Sequence, residues 1–245
     1  MRKLLLILAL FPLMTFGQIL APIMQKQPSG GGGGDPAFGG VLYSNAVTTS
    51  ANPVVLTTVT NSAPAGSTVV LMSQNGNAIT ITSVSDSHCG GTWAVDKTVD
   101  AAGSPTQIAH TLCPNGLAAG QTVSVTYSSG TYTARNYVIA YATNASGGLD
   151  VGNACTANAF DSPYSVTCSI TTIATKTIVF YGEMVGNAAI PYTPAGGWTA
   201  GTPIQNGDTD WLYWGYKAVS AAGGQDPAGT GNAPWTYRMV VGAYK

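Results

Sequence analysis

The stretch Ser85-Asp86-Ser87-His88-Cys89-Gly90-Gly91-Thr92-Trp93 places a carboxylate, an imidazole and a thiol side by side in a chain with 2 histidines and 4 cysteines. Such a cluster suits a nucleophile with its base and orienter, a metal site, or a turn held by a disulfide. Catalysis by Cys89 needs a free thiolate and a base positioned by the fold, and neighbours such as His88 and Cys89 on an extended chain point to opposite faces. His110 lies near Cys113, so a Cys89–Cys113 bond is expected to draw both histidines into one region, where with Asp86 they make at most a weak metal site. The C-x₂₋₄-C spacing of zinc sites is missing from the sequence. The stretch therefore reads as a stapled turn between strands, with no catalytic residue, metal or cofactor, and with Trp93 returning to the core.

Three other places carry chemistry-bearing residues. Glu183, the sole glutamate, shares a strand face with Val179, Tyr181 and Val185. A buried carboxylate there invites a general-acid role, but glycoside hydrolysis needs a second acid and no comparable strand supplies one. A structural ion pair with Arg135 or Arg238 is the expectation. Asn206, Asp208 and Asp210 alternate as in calcium loops, yet they fall short of the 6–8 oxygens calcium takes, and Asn206-Gly207 predicts a hairpin turn. In Trp211-Leu212-Tyr213-Trp214-Gly215-Tyr216-Lys217, alternation puts Leu212, Trp214 and Tyr216 toward the core and leaves Trp211, Tyr213 and Lys217 on the other face. Exposed, Trp211 and Tyr213 would form a platform for stacking sugar rings, extended by Trp198 and Trp235. In a central strand covered on both sides they would seal a core instead.

The elements that must position these residues are strands. Short runs rich in Val, Ile, Thr and Tyr alternate with turn signals such as Gln74-Asn75-Gly76-Asn77 and Cys113-Pro114-Asn115-Gly116, and no stretch of a dozen residues keeps helical periodicity. In Thr122–Tyr127, Val123, Val125 and Tyr127 share one face. This rhythm predicts an all-β chain, with roughly twelve to fourteen strands in a single two-sheet antiparallel sandwich of jelly-roll type over residues 41–245.

Residues 1–17 have a basic start and an apolar run, Leu4–Phe16, too short for the roughly 20 residues of a membrane span. They read as a signal peptide cut after Gly17, with no membrane insertion once it is removed. Residues 18–40 contain a Gly run between prolines and read as a flexible tether. The four cysteines, all beyond the signal, predict disulfides. The pairing Cys89–Cys113 and Cys155–Cys168 closes the shortest loops. Charged residues make up 8% of the chain against roughly 25% in ordinary soluble domains, with 9 basic against 10 acidic. That leaves nothing of the basic footprint a nucleic-acid partner needs.

The stretch Ile81–Val95, the strand into Tyr137–Val151, the late strand Thr175–Gly186, the Gly196-Gly197-Trp198-Thr199-Ala200 turn, Lys217–Gly223 and the closing Arg238–Tyr244 follow one another in an order that resembles a β-sandwich domain of uncharacterised secreted bacterial proteins and of phage tail or virion-surface proteins. The chain departs from that pattern at Cys89 and Gly90-Gly91, where a Gly-Asn turn is usual. The resemblance implies a fold and a surface location. Together these features predict an exported, non-enzymatic surface or extracellular protein, structural or adhesive, with glycans or other surface proteins as partners. A carbohydrate-binding module using the aromatics above is the alternative, and a secreted hydrolase comes third.

Overall fold

The computed structural model describes residues 34–58, 61–76, 78–100, 103–129, 134–159, 164–186, 193–194, 196–207, 210–231 and 235–245. The expected signal peptide and the tether up to residue 33 lie outside these. The described chain is all-β and every pairing in it is antiparallel. Its first strands are β1 (Ala37–Thr48), β2 (Val54–Thr57), β3 (Ser67–Asn75), β4 (Ile81–Asp86), β5 (Ala94–Val99), β6 (Thr106–Cys113), β7 (Thr122–Tyr127) and β8 (Ala134–Thr143). There follow β9 (Leu149–Ala159), β10 (Tyr164–Thr167), β11 (Ile170–Thr172), β12 (Thr177–Val185), β13 (Thr193–Pro194), β14 (Thr199–Ala200) and β15 (Ile204–Gln205). The last are β16 (Trp211–Val219), β17 (Gly223–Gln225), β18 (Ala228–Gly231) and β19 (Trp235–Tyr244).

The strand order repeats. In residues 37–143 one sheet runs β1-β8-β3-β6-β5 and a second runs β2-β7-β4. In residues 149–244 a large sheet runs β9-β19-β12-β16, with β14 and β15 beside β16, and a smaller one runs β10-β18-β13, supplemented by β11-β17. The first strand of each half pairs with the last, the last with a long middle strand, and that strand with the one after the turn. The expectation of one two-sheet sandwich is thereby corrected. The described strands fall into five antiparallel sheets, and the two large ones face each other across a shared apolar core.

Period-two alternation explains the stacking, because a strand apolar on both faces must be covered on both. In β3, Val69 and Leu71 face a core shared with Leu56, Val123 and Val125 of the small sheet. Val70 and Met72 face the other way, onto Phe180, Leu212 and Val240 of the second half. In β12, Phe180 points into that middle layer, whereas Val179, Tyr181 and Val185 face a third core with Tyr237 and Met239. Full burial of a side chain such as Phe180 or Leu212 contributes about 1.5–3 kcal/mol, so the middle layer adds an apolar core between the halves.

The folded region starts earlier than expected. Ala37, Phe38 and Gly40, assigned to the tether in the sequence, pair with β8, and Phe38 stacks on Tyr216 with centroids 3.9 Å apart. The glycines here serve close packing: a Cβ on Gly39 would lie 2.0 Å from the Tyr141 ring. Both ends of the described chain meet the linker between the halves. Asn144 donates to the Asp35 carbonyl (3.3 Å), the Ser146 hydroxyl donates to the Lys245 carbonyl (2.7 Å), and the Lys245 N–H donates to the Gly148 carbonyl (3.1 Å).

Candidate functional site

The opening cluster occupies the connection from β4 to β5, where the chain crosses from the small sheet to the large one of the first half. Asp86 organises the turn. Its Oδ1 accepts the N–H groups of His88 (2.9 Å) and Cys89, and its Oδ2 accepts the Trp93 indole N–H at 2.7 Å. Cys89 is bonded to Cys113, and Asn115 donates its backbone N–H to the Cys89 carbonyl and its amide to the His88 carbonyl, both at 3.2 Å. Gly91 lies so close to β6 that a Cβ would fall 1.8 Å from the Leu112 carbonyl oxygen, and Gly90 takes a φ of +75°. A side chain at either position is excluded or strained.

The turn leaves an open groove of about 610 Å³, lined by Val84 to His88, Gly90 to Trp93, and Asn115. Ser85, Ser87, His88, Thr92 and Asn115 are exposed along it, and Trp93 is half-buried against the first core. Ser87 accepts the Thr122 N–H at 3.0 Å. Cys89 cannot act as a nucleophile in a disulfide, and the Asp86 carboxylate already takes three donors. The constellation can hold a ligand, but it lacks the parts of a nucleophilic centre.

The two histidines do not converge. Cys113 and His110 are three residues apart on β6, so they face opposite ways. Cys89 and Cys113 are buried in the first core, whereas His110 faces the layer between the halves. There its Nδ1 lies 2.8 Å from both Asp96 oxygens and its Nε2 lies 2.9 Å from the Gly147 carbonyl. Both neighbours are acceptors, so the imidazolium alone donates to both. The Tyr244 hydroxyl donates to Asp96 at 2.8 Å, and burial, reinforced by the Asp96 charge, holds it well above the ordinary tyrosine range. This Asp–His pair has the outline of a catalytic dyad, but the nitrogen a substrate would need is turned onto a carbonyl. It ties the last strand of the second half to the first. Among the described residues no group of three or more His, Cys, Asp or Glu could hold a metal ion.

A second polar cluster crosses the same layer. Gln74 donates to Asp210 Oδ2 (3.0 Å), Asn136 donates to the Gln74 amide oxygen (2.8 Å) and to the Asp210 carbonyl (3.1 Å), and Asn206 accepts the Asp210 N–H (3.1 Å). The expected turn at Asn206 is therefore used to join the halves; Asp208 lies outside the described residues.

Of the two readings of β16, the structure shows the covered strand rather than an exposed platform. Tyr213 is 4% and Trp198 8% exposed, Trp211 is half-buried, and all three pack in the third core, where Trp198 meets Tyr181 edge-on at 5.4 Å. The side chain of Trp235 lies outside those described. β16 is central, with β12 on one side and β14 and β15 on the other, and the Gly196–Ala200 turn closes over its outer face. Alternation identified the face correctly but could not show what lay above it.

Glu183 is buried among apolar residues, as the sequence indicates. Its expected partners are placed elsewhere. Arg238 pairs in register with Met184, on the opposite face, and its guanidinium reaches the Met184 sulfur at 3.1 Å. Burial lowers the Arg238 pKa, with Asp210 and Asp100 opposing the shift. Arg135 belongs to the other half, with its guanidinium 4.4 Å above the Tyr127 ring. Tyr127 donates to the Tyr137 hydroxyl at 2.6 Å, and burial raises the pKa of both phenols.

Sequence reasoning missed Asp96 and the duplication. The usable signal was the recurrence of Gly90-Gly91-Thr92-Trp93 as Gly196-Gly197-Trp198-Thr199, at corresponding connections in the two halves. In comparisons with family models, curated proteins and solved structures, nothing matched the chain.

Proposed function

We propose that the protein is an exported, non-enzymatic surface or extracellular protein, structural or adhesive, built as two tandem jelly rolls that share a middle apolar layer. The observation that carries this reading is the pair of disulfides, Cys89–Cys113 and Cys155–Cys168, one closed within each half and none between them. Such crosslinks persist in oxidising compartments. The non-enzymatic part is supported by the commitment of Asp86, Asp96 and His110 to structural hydrogen bonds. No helix among the described residues is long and apolar enough to cross a membrane.

Fractionation of cells making the full chain tests this, combined with thiol titration and N-terminal sequencing. The expected product lies outside the cytoplasm, begins at Gln18 and has no titratable thiol. A full-length cytoplasmic product with free thiols would sink the reading.

A further inference from the structure

The groove at the β4–β5 connection has the attributes of a built site. Its volume, about 610 Å³, falls within the roughly 300–1,000 Å³ of small-ligand sites. Its walls are fixed before any ligand arrives: the Cys89–Cys113 bond lies beneath it, Asp86 holds three donors, and Asn115 holds the His88 and Cys89 carbonyls. A rigid site loses little entropy on binding.

The lining selects a ligand class. It presents the hydroxyls of Ser85, Ser87 and Thr92, the Asn115 amide and the His88 imidazole around the half-buried Trp93 ring. No lysine or arginine lines it, so a phosphate or carboxylate meets no permanent cation. The sole carboxylate, Asp86, is already compensated by three N–H groups, so a cation gains little. Neutral donors and acceptors around an indole suit a ligand with many hydroxyls and one C–H face.

The second half provides an internal control. Its corresponding turn also carries Gly-Gly and a tryptophan, yet Trp198 is buried and Lys217 sits with Nζ 5.8 Å from its ring centroid. The fold therefore does not require its tryptophan to line an open groove.

We infer that the groove binds an uncharged saccharide, which stacks on Trp93 and hydrogen-bonds to Ser85, Thr92, His88 and Asn115. The inference draws on the extracellular reading for where the sugar is met; the geometry stands without it.

The test uses the oxidised protein and a panel of neutral oligosaccharides (cello-, chito-, malto-, xylo- and manno-tetraoses), with a trimer of galacturonic acid as the charged control. The Trp93 indole N–H is followed by NMR and affinity is measured by calorimetry. At least one neutral sugar is expected to bind and shift that resonance. Thr92→Trp, which fills the groove from an exposed position, and His88→Ala should each weaken binding by about tenfold or more with an unchanged melting temperature. No binding across the panel overturns the proposal. So does binding that survives Thr92→Trp, or a preference for the acidic trimer. Because the purified protein is used, a failure here leaves the fractionation result untouched, and the reverse also holds.

Discussion

In the first half the Trp93 indole forms a wall of an open groove, its N–H held by Asp86; in the second, Trp198 is sealed beneath Lys217 against Tyr181. The strand order around the two is the same. What the architecture requires at this corner is a glycine pair that lets the chain turn and an aromatic ring that closes the end of the core. What surrounds the ring differs by a few side chains: Asp86 and exposed hydroxyls at Trp93, and the Lys217 ammonium over Trp198. A shared fold thus sets where a site can form, and local chemistry decides whether it does.

The comparison can be broken at its joints. The largest effect is expected from Asp96→Ala, which strips a buried imidazole and a phenol of their partner and should cost about 3–5 kcal/mol. Because Asp96 joins the halves, denaturant unfolding followed by separate probes should also lose coincidence between them. A loss below about 1 kcal/mol would mean that the apolar layer alone holds the halves together. Next comes removal of one disulfide: Cys89→Ser with Cys113→Ser should cost about 3 kcal/mol on the loop-entropy account, and Cys155→Ser with Cys168→Ser a similar amount. Equal melting losses with sugar binding lost in the first pair alone would separate the groove from the fold.

Asp86→Ala removes the acceptor of three N–H groups at a half-buried position and should cost about 1–3 kcal/mol, with the Trp93 indole resonance moving toward that of a free N–H. The smallest effect at neutral pH belongs to Tyr244→Phe, about 1 kcal/mol, but it carries a pH signature. Tyr127, Tyr137 and Tyr244 all have folded pKa values raised by burial. Above the ordinary tyrosine value of about 10 the unfolded chain releases these protons while the folded chain keeps them. Their contribution is therefore complete below that pH and is lost as pH rises toward the folded values. Melting temperature should fall above pH 10, less steeply in Tyr244→Phe; an unchanged slope would place the alkaline sensitivity in the phenols of the first half whose pKa burial raises, Tyr43, Tyr127 and Tyr137.

Much of the strand content was legible because alternation is a direct record of facing. Val123, Val125 and Tyr127 share a core as read, and both disulfides join the cysteines that close the shortest loops. The errors share a cause. Gly39-Gly40 looked like slack, yet glycine also marks a place where another ring lies on the backbone. Whether Trp211 and Tyr213 were open or covered stayed undecided, because the period of a strand separates its faces but does not report what covers each one. The pairing of His88 with His110 was a mistake of parity: an odd separation from Cys113 already put His110 on the other side of its sheet. Asp96 was invisible for a different reason, since a register shift between Val95 and Lys97 re-aims the strand there. The repeated strand order was not visible because strand pairing is not written in any one segment of the sequence.

The contacts of Asp35 and Lys245 with the 144–148 linker have a mechanical consequence. Asp35 and Lys245 are both fastened to the connection between β8 and β9, so loosening that connection would release the start of β1 and the last residue after β19 together.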